Sequence, residues 1–273
     1  MQNQPYLQAG IAVVEFDYTA VAPDRNAKTG AFWALYNGRD IAPHTRDRRR
    51  PDGLGLGLPP HAGRAERDGG GDRRGAGGGG GVLAAGQGGP GAGLFDPWIA
   101  LTMPMSSGVQ GLGPYRYASL SGQGETLENS KSGAPWWSSS GLGRFVDHAS
   151  SLPFDAHTIA AALAPRALVI DQGTADPFVN SKGTSVVVYP AAKRVYEWLG
   201  VGDRIGISVR GGGHCDLSGF TSVLPFVQKI LLNQTISKNY DNLGSYGSPM
   251  TAAFPWVTAT PKVPSGWWTI QRT

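Results

Sequence analysis

DAHTIAAALAPRALVIDQGTAD at residues 155–176 and YPAAKRVYEWLGVGDRIGISVRGGGHCD at 189–216 are the stretches from which the fold is read. Asp155 to Ala164 has the composition of a helix, with Asp155 as its N-cap and Pro165 as its stop. Ala167 to Asp171, ALVID, is a short apolar run suited to a buried strand. Tyr189 to Leu199 returns to helical spacing, with Ala192, Val195, Tyr196 and Leu199 on one face. Arg204 to Val209 is a second strand, Gly211 to His214 a turn, and Phe220 to Leu232 an apolar helix. This alternation predicts an α/β fold with a mainly parallel sheet in a three-layer sandwich.

Upstream, Trp98 to Pro104 (WIALTMP) reads as another strand, followed by the loop SSGVQG, and residues 123–131 as a short helix. AGIAVVEFDY at 9–18 reads as a buried strand, and Ala31 to Tyr36 as a short aromatic-rich segment. Between them and Leu94 the pattern fails. Residues 43–93 show neither a period of two nor one of 3.6, and 53–93 alone hold 18 of the chain's 41 glycines. Length suggests one large domain or two small ones; read as a single domain, 1–273, the chain is expected to be disrupted by this low-complexity, disordered Gly/Arg stretch.

Charge follows the same division. The formal net charge is +4, and 43–93, with eight arginines against five acids, supplies +3 of it. The basic balance is therefore local, and a general nucleic-acid binder is excluded; the stretch also lacks RGG repeats and interleaved aromatics. A hydrophobic content of 40% with eight tryptophans excludes wholesale disorder. No run of 18 apolar residues predicts a membrane span, the first residues lack a signal-peptide pattern, and one cysteine permits no internal disulfide.

Sites in parallel α/β sheets form at the carboxyl ends of strands. Two loops there carry ionisable groups: DQGTAD, with Asp171 and Asp176, and GGGHCD, with His214. An acid loop followed by a histidine loop on the next strand is the order of the last two members of a Ser…Asp…His triad in α/β-hydrolases. As ordinary loop chemistry, the aspartates would be turn formers and His214 a surface histidine. The nucleophile belongs on a strand–turn–helix elbow just before WIALTMP, inside the glycine-rich stretch, and no such serine is there. Ser106 and Ser107 follow a strand but precede no helix.

Several blocks resemble the glucuronoyl esterases, carbohydrate esterase family 15: FWALYNGRD at 32–40, IALTMPMSSGVQG at 99–111, GETLE at 124–128, PWW at 135–137, LPFDAHTIAAALAPRALVI at 152–170 and AAKRVYEWLGVGDRIGISVRGGGHCD at 191–216. The resemblance implies a secreted, monomeric serine esterase of α/β-hydrolase fold that needs no cofactor or metal. Its implied substrate is the ester between 4-O-methyl-glucuronate of glucuronoxylan and a lignin alcohol. His214 takes the family's histidine position, and Asp176, preferred to Asp171, an acid position after the penultimate strand. Glu125 and Trp136 match glucuronate-contacting positions, with Phe178 a partial substitute for a family tryptophan. Ser106 stands where many members carry the acid, and the family lysine after the nucleophile is missing. The family partner of Cys215 is also missing.

The family motif G-C-S-R-x-G-K belongs near 81–88, where this chain has GVLAAGQGGP from Gly81. Written as GGG GTG CTC GCG GCT GGG CAA GGC GGC CCT and read one nucleotide later, it becomes G-C-S-R-L-G-K-A-A. LGLGLPPHAG from Leu54 yields W-A-W-G-F-H-R-T-L with the same shift, like a family segment expected there. Residues from about 42 to about 93 therefore read as translated out of frame, and the chain as written is expected to be inactive. The alternative is a pseudo-enzyme that binds a uronosyl carbohydrate without cleaving it.

Overall fold

The ALVID run is buried on both faces, and that burial makes it a strand. In the computed structural model, which describes residues 3–13, 81–85, 88–118, 124–137, 141–214, 216 and 218–254, it is β3 (Ala167–Gly173). Leu168 and Ile170 enter one apolar cluster, Ala167 and Val169 the other. The first cluster packs helices α4 (Ala156–Ala162) and α5 (Tyr189–Trp198) on one side of the sheet through Ala160, Ala192 and Tyr196. The second packs α6 (Ser218–Leu232) and the short α1 (Gln4–Gln8) on the other through Val223, Phe226 and Tyr6. Period-two alternation along one strand thus produces three layers.

The sheet runs β1 (Gly81–Ala85), β2 (Ile99–Pro104), β3, β4 (Ile205–Arg210), β5 (Asp241–Asn242), with every neighbouring pair parallel. Between β1 and β2 lies α2 (Gly88–Phe95), and between β2 and β3 lie α3 (Leu127–Gly133) and α4. Asp155 caps α4 as expected: its carboxylate accepts from Ala156 N–H, and Thr158 completes a capping box. Thr126 and Asn129 form the same box on α3, which is why that helix starts at 127 rather than 123.

Three expectations are corrected. Residues 9–13 are not strand: Gly10 turns in the left-handed region (φ 79°) and Ile11 N–H donates to the Tyr6 carbonyl, closing α1. Tyr6 anchors that turn, its hydroxyl donating to the Phe220 carbonyl at 2.8 Å. Residues 14–18 and Ala31–Tyr36 lie outside the described residues. The stretch at 43–93 is not without order throughout, because its last residues form β1 and most of α2. Pairing with β2 organises β1, and close packing explains Gly93 of α2. A Cβ on Gly93 would lie 2.2 Å from Thr102 Oγ1 and 2.9 Å from Leu163 Cδ2. The rest of that stretch lies outside the described residues.

Finally, the helix at 189 begins earlier. Ser181–Gly183 and a π turn, Thr184–Val188, lead directly into α5. Pro190 has no N–H for the Val186 carbonyl, which accepts instead from Met250 N–H at 2.8 Å. Tyr189 N–H reaches the Thr184 carbonyl.

Gly93→Ala is expected to lower stability by about 1–3 kcal/mol through overpacking against Thr102. Gly133→Ala, where a Cβ meets nothing within 4 Å, should change it by under about 1 kcal/mol. Thermal melts of the two variants check the contrast.

Candidate functional site

Parallel pairing sends the loops after β3 and β4 out of the same sheet edge, and backbone hydrogen bonds then join them. Thr174 N–H donates to the Arg210 carbonyl at 2.8 Å and Ala175 N–H to the Gly212 carbonyl at 3.0 Å. The approach is close enough that a Cβ on Gly173 would lie 2.6 Å from the Gly212 oxygen. Gly212 itself has φ 99°, a conformation that only glycine adopts cheaply.

Asp176 and His214 meet across this joint. Asp176 Oδ2 lies 2.9 Å from His214 Nδ1. Asp176 Oδ1 accepts from Phe178 N–H at 2.9 Å and Val179 N–H at 3.2 Å. The carboxylate is 0% exposed, while the imidazole is 38% exposed. A carboxylate only accepts, so the Nδ1–H tautomer satisfies the pair and leaves the Nε2 lone pair available. The Phe178 ring stands edge-on to the imidazole, centroids 5.2 Å apart.

Asp171, the other acid considered, is committed elsewhere. Arg210 grips it with Nε at 3.0 Å from both carboxylate oxygens and Nη2 at 2.8 Å from Oδ2; Ser222 Oγ donates at 3.2 Å. Burial pushes the Asp171 pKa above the ordinary carboxylate value, against the pull of Arg210 and Ser222. It is a buried structural anion, and the geometry brings Asp176, not Asp171, to the histidine.

Glu125, Trp136 and Phe178 line one cavity of about 440 Å³, together with Asn129, Ser130 and Trp137. Sequence reading missed the last three; the capping box of α3 is the signal that places Asn129 and Ser130 there. The cavity is of ligand size, and Phe178 belongs both to its wall and to the histidine's surroundings. Backbone contact ties its two sides: Glu125 N–H donates to the Phe178 carbonyl at 2.8 Å.

Ser106 and Ser107 lie beyond β2 and are buried. Ser106 adopts φ 46°, its N–H donating to the Asp171 carbonyl. Ser107 Oγ accepts from Leu112 N–H. Among the described residues His214 is hydrogen-bonded to no serine hydroxyl. Gly86 and Gln87, between β1 and α2 in the chain, and Cys215 lie outside the described residues. Among the described residues no cluster of three or more His, Cys, Asp or Glu is placed to hold a metal, and no helix is long and apolar enough to cross a membrane.

Residues 78–200 match the family model for fungal glucuronyl esterases. The fold matches a carbohydrate esterase family 15 glucuronoyl esterase from Caldicellulosiruptor kristjansonii with a TM-score of 0.66 and 26% identity, covering 83% of this chain and 61% of that one. The likeness to glucuronoyl esterases in the family model thus covers residues 78–200, just under half of the chain. A 4-O-methyl-glucuronoyl methylesterase of Schizophyllum commune is 36% identical over 163 residues, 57% of this chain and 41% of that protein. One from Hypocrea jecorina is 32% identical over 156 residues, 55% of this chain and 34% of its own length. The chain thus spans well under half of these two glucuronoyl esterase relatives.

Arg210→Met leaves Asp171 buried without its cation and is expected to cost about 3–5 kcal/mol at neutral pH. In that variant the folded-state pKa of Asp171 rises further above its unfolded value. The destabilisation should therefore be smallest below about pH 4 and grow as pH rises toward the folded-state pKa. Melts between pH 4 and 7 read it.

Asp176→Asn places its Oδ1 on the Phe178 and Val179 amides and its NH₂ on His214. The imidazole should then switch to the Nε2–H tautomer, seen as an exchange of its two ring ¹⁵N shifts.

Proposed function

We propose that the site is that of a carboxylic ester hydrolase acting on 4-O-methyl-glucuronate esters between glucuronoxylan and lignin, and that this chain as written lacks its nucleophile. The observation that carries the reading is the Asp176–His214 pair, which shares Phe178 with the cavity lined by Glu125 and Trp136. His214 Nε2 is the base that takes the proton of an attacking serine, and Asp176 holds the tautomer and stabilises the imidazolium. Serine attack on the uronate carbonyl gives an acyl-enzyme, with backbone amides and the motif arginine facing the oxyanion, and water then releases glucuronate. Glu125 and Trp136 hold the sugar, and Phe178 covers the reacting end.

The serine belongs between β1 and α2, at the sheet edge from which both loops leave. Those residues lie in the segment at about 42–93 whose shifted frame contains G-C-S-R-L-G-K. An out-of-frame translation accounts for the missing motif, the glycine excess and the local charge together. The full protein is, on this reading, an extracellular monomer. A second reading follows from the same cavity: without a serine, the chain binds a uronosyl carbohydrate and does not cleave it. Calorimetric titration with glucuronoxylan fragments distinguishes that role.

Benzyl glucuronate hydrolysis by the chain as written should not exceed that of its His214→Ala variant, whereas the frame-restored chain should turn over about 10⁶-fold faster. Robust His214-dependent turnover by the chain as written would falsify the missing-nucleophile reading. The nucleotide sequence spanning codons 40–95 tests the frame directly.

A further inference from the structure

We propose that the buried Asp171–Arg210 pair is a positioning device that holds the histidine loop in register with the acid loop. Arg210 is the last residue of β4, and Asp171 lies near the end of β3. The Arg210 carbonyl receives the Thr174 N–H of the acid loop, while its guanidinium is locked on Asp171 by three contacts of 2.8–3.0 Å. Its remaining Nη1 donates to the Gly211 carbonyl at 3.2 Å. The same nitrogen lies 3.1 Å from where a Cβ on Gly212 would stand and 3.3 Å from one on Gly173. The guanidinium therefore packs directly against both glycine turns that carry Asp176 and His214.

Asp171 is in turn fixed from the opposite layer. Ser222 of α6 donates to it, and Gly219 approaches so closely that a Cβ would lie 2.6 Å from Asp171 Oδ2. Met105, following β2, bridges to the Asp171 backbone, and Ser106 N–H donates to its carbonyl. Asp171 thus connects β4 and α6 through its carboxylate and β2 through its backbone, just below the site. A buried ion pair is a weak source of stability, but a planar guanidinium held by a bidentate grip fixes direction. Neither residue touches the reacting atoms; both act through the placement of His214 Nδ1 on Asp176. The consequence for turnover rests on the esterase reading above, whereas the geometric claim does not.

The test pairs Asp171→Leu with Arg210→Met, removing both charges at similar volume, in the chain as written and in the frame-restored chain. The expected result is a melting temperature close to the parent's with loss of the hydrogen-bonded His214 Nδ1 proton resonance. In the frame-restored enzyme kcat should fall about 10²-fold at unchanged KM, and Arg210→Lys should show a smaller loss than Arg210→Met. A folded double variant that keeps both the Nδ1 resonance and kcat overturns the proposal. Should the double variant melt well below the parent, Arg210→Lys decides, because it keeps the charge pair and removes the fork. An undisturbed Nδ1 resonance and kcat there overturn it equally. Absence of hydrolysis in the frame-restored parent counts against the esterase reading alone, since the resonance reads the positioning without turnover.

Discussion

The ladder between β3 and β4 pairs Leu168 with Ile205 and continues residue by residue to Gly173 with Arg210. It does not stop where the strands do, because Thr174 and Ala175 extend it by donating to Arg210 and Gly212. The Asp176–His214 contact hangs from this extension. A parallel pair delivers both strands to the same edge, and a slip of one residue would send each side chain to the other face. Asp171 would then face the α4–α5 layer rather than α6, and Asp176 would lose its register with His214. Gly173 is needed here because the backbone at 212 and 213 approaches within the distance of a single Cβ, and Gly212 because it turns at φ 99°.

The Asp176 site shows how a buried carboxylate is tolerated. Both oxygens are used, Oδ1 by two backbone amides and Oδ2 by the imidazole. The amides come from the two residues that follow Pro177, so the turn that displays Phe178 is also the turn that solvates the acid. Cavity wall and acid orientation are therefore one local structure. A substitution that disturbs the turn would move the imidazole and the wall together.

β3, β4, α4 and α5 were legible in the sequence because their apolar positions recur with the right period and their ends carry caps or prolines. Asp155 as a cap and Ala192, Tyr196 and Leu199 as a buried face needed no tertiary information. The preference for Asp176 over Asp171 was also legible, because Asp171 sits at the end of a strand, but that Asp171 is gripped by Arg210, 39 residues later, needed tertiary information. The helical run through Thr184–Val188 was hidden for a different reason. A Thr-Ser-Val-Val-Val run has strand propensity and precedes a proline, yet the Ser185 and Thr184 hydroxyls donate to the Ser181 and Leu112 carbonyls and Met250 fills the gap left by Pro190. Propensity lost to distant partners on either side, Leu112 and Met250.

The glycine-rich segment shows how far a scaffold can impose form on a sequence that does not encode it. α2 has no capping acid in its first turn and no cation in its last, and glycines weaken its interior. Its position is nevertheless defined from outside: Thr102 on β2 and Leu163 beyond α4 leave room for a backbone without a side chain at Gly93. β1 likewise takes its register from β2, Val82 to Ala85 against Leu101 to Pro104. The placement of β1 and α2 is thus a demand made by the neighbouring strand and the α4 layer. The nucleophile is the opposite kind of feature, since no neighbour can supply a hydroxyl that the chain does not carry. On the esterase reading proposed above, strand and helix at this edge persist without the serine, which is why the histidine–acid pair and the cavity, rather than β1 and α2, carry that reading.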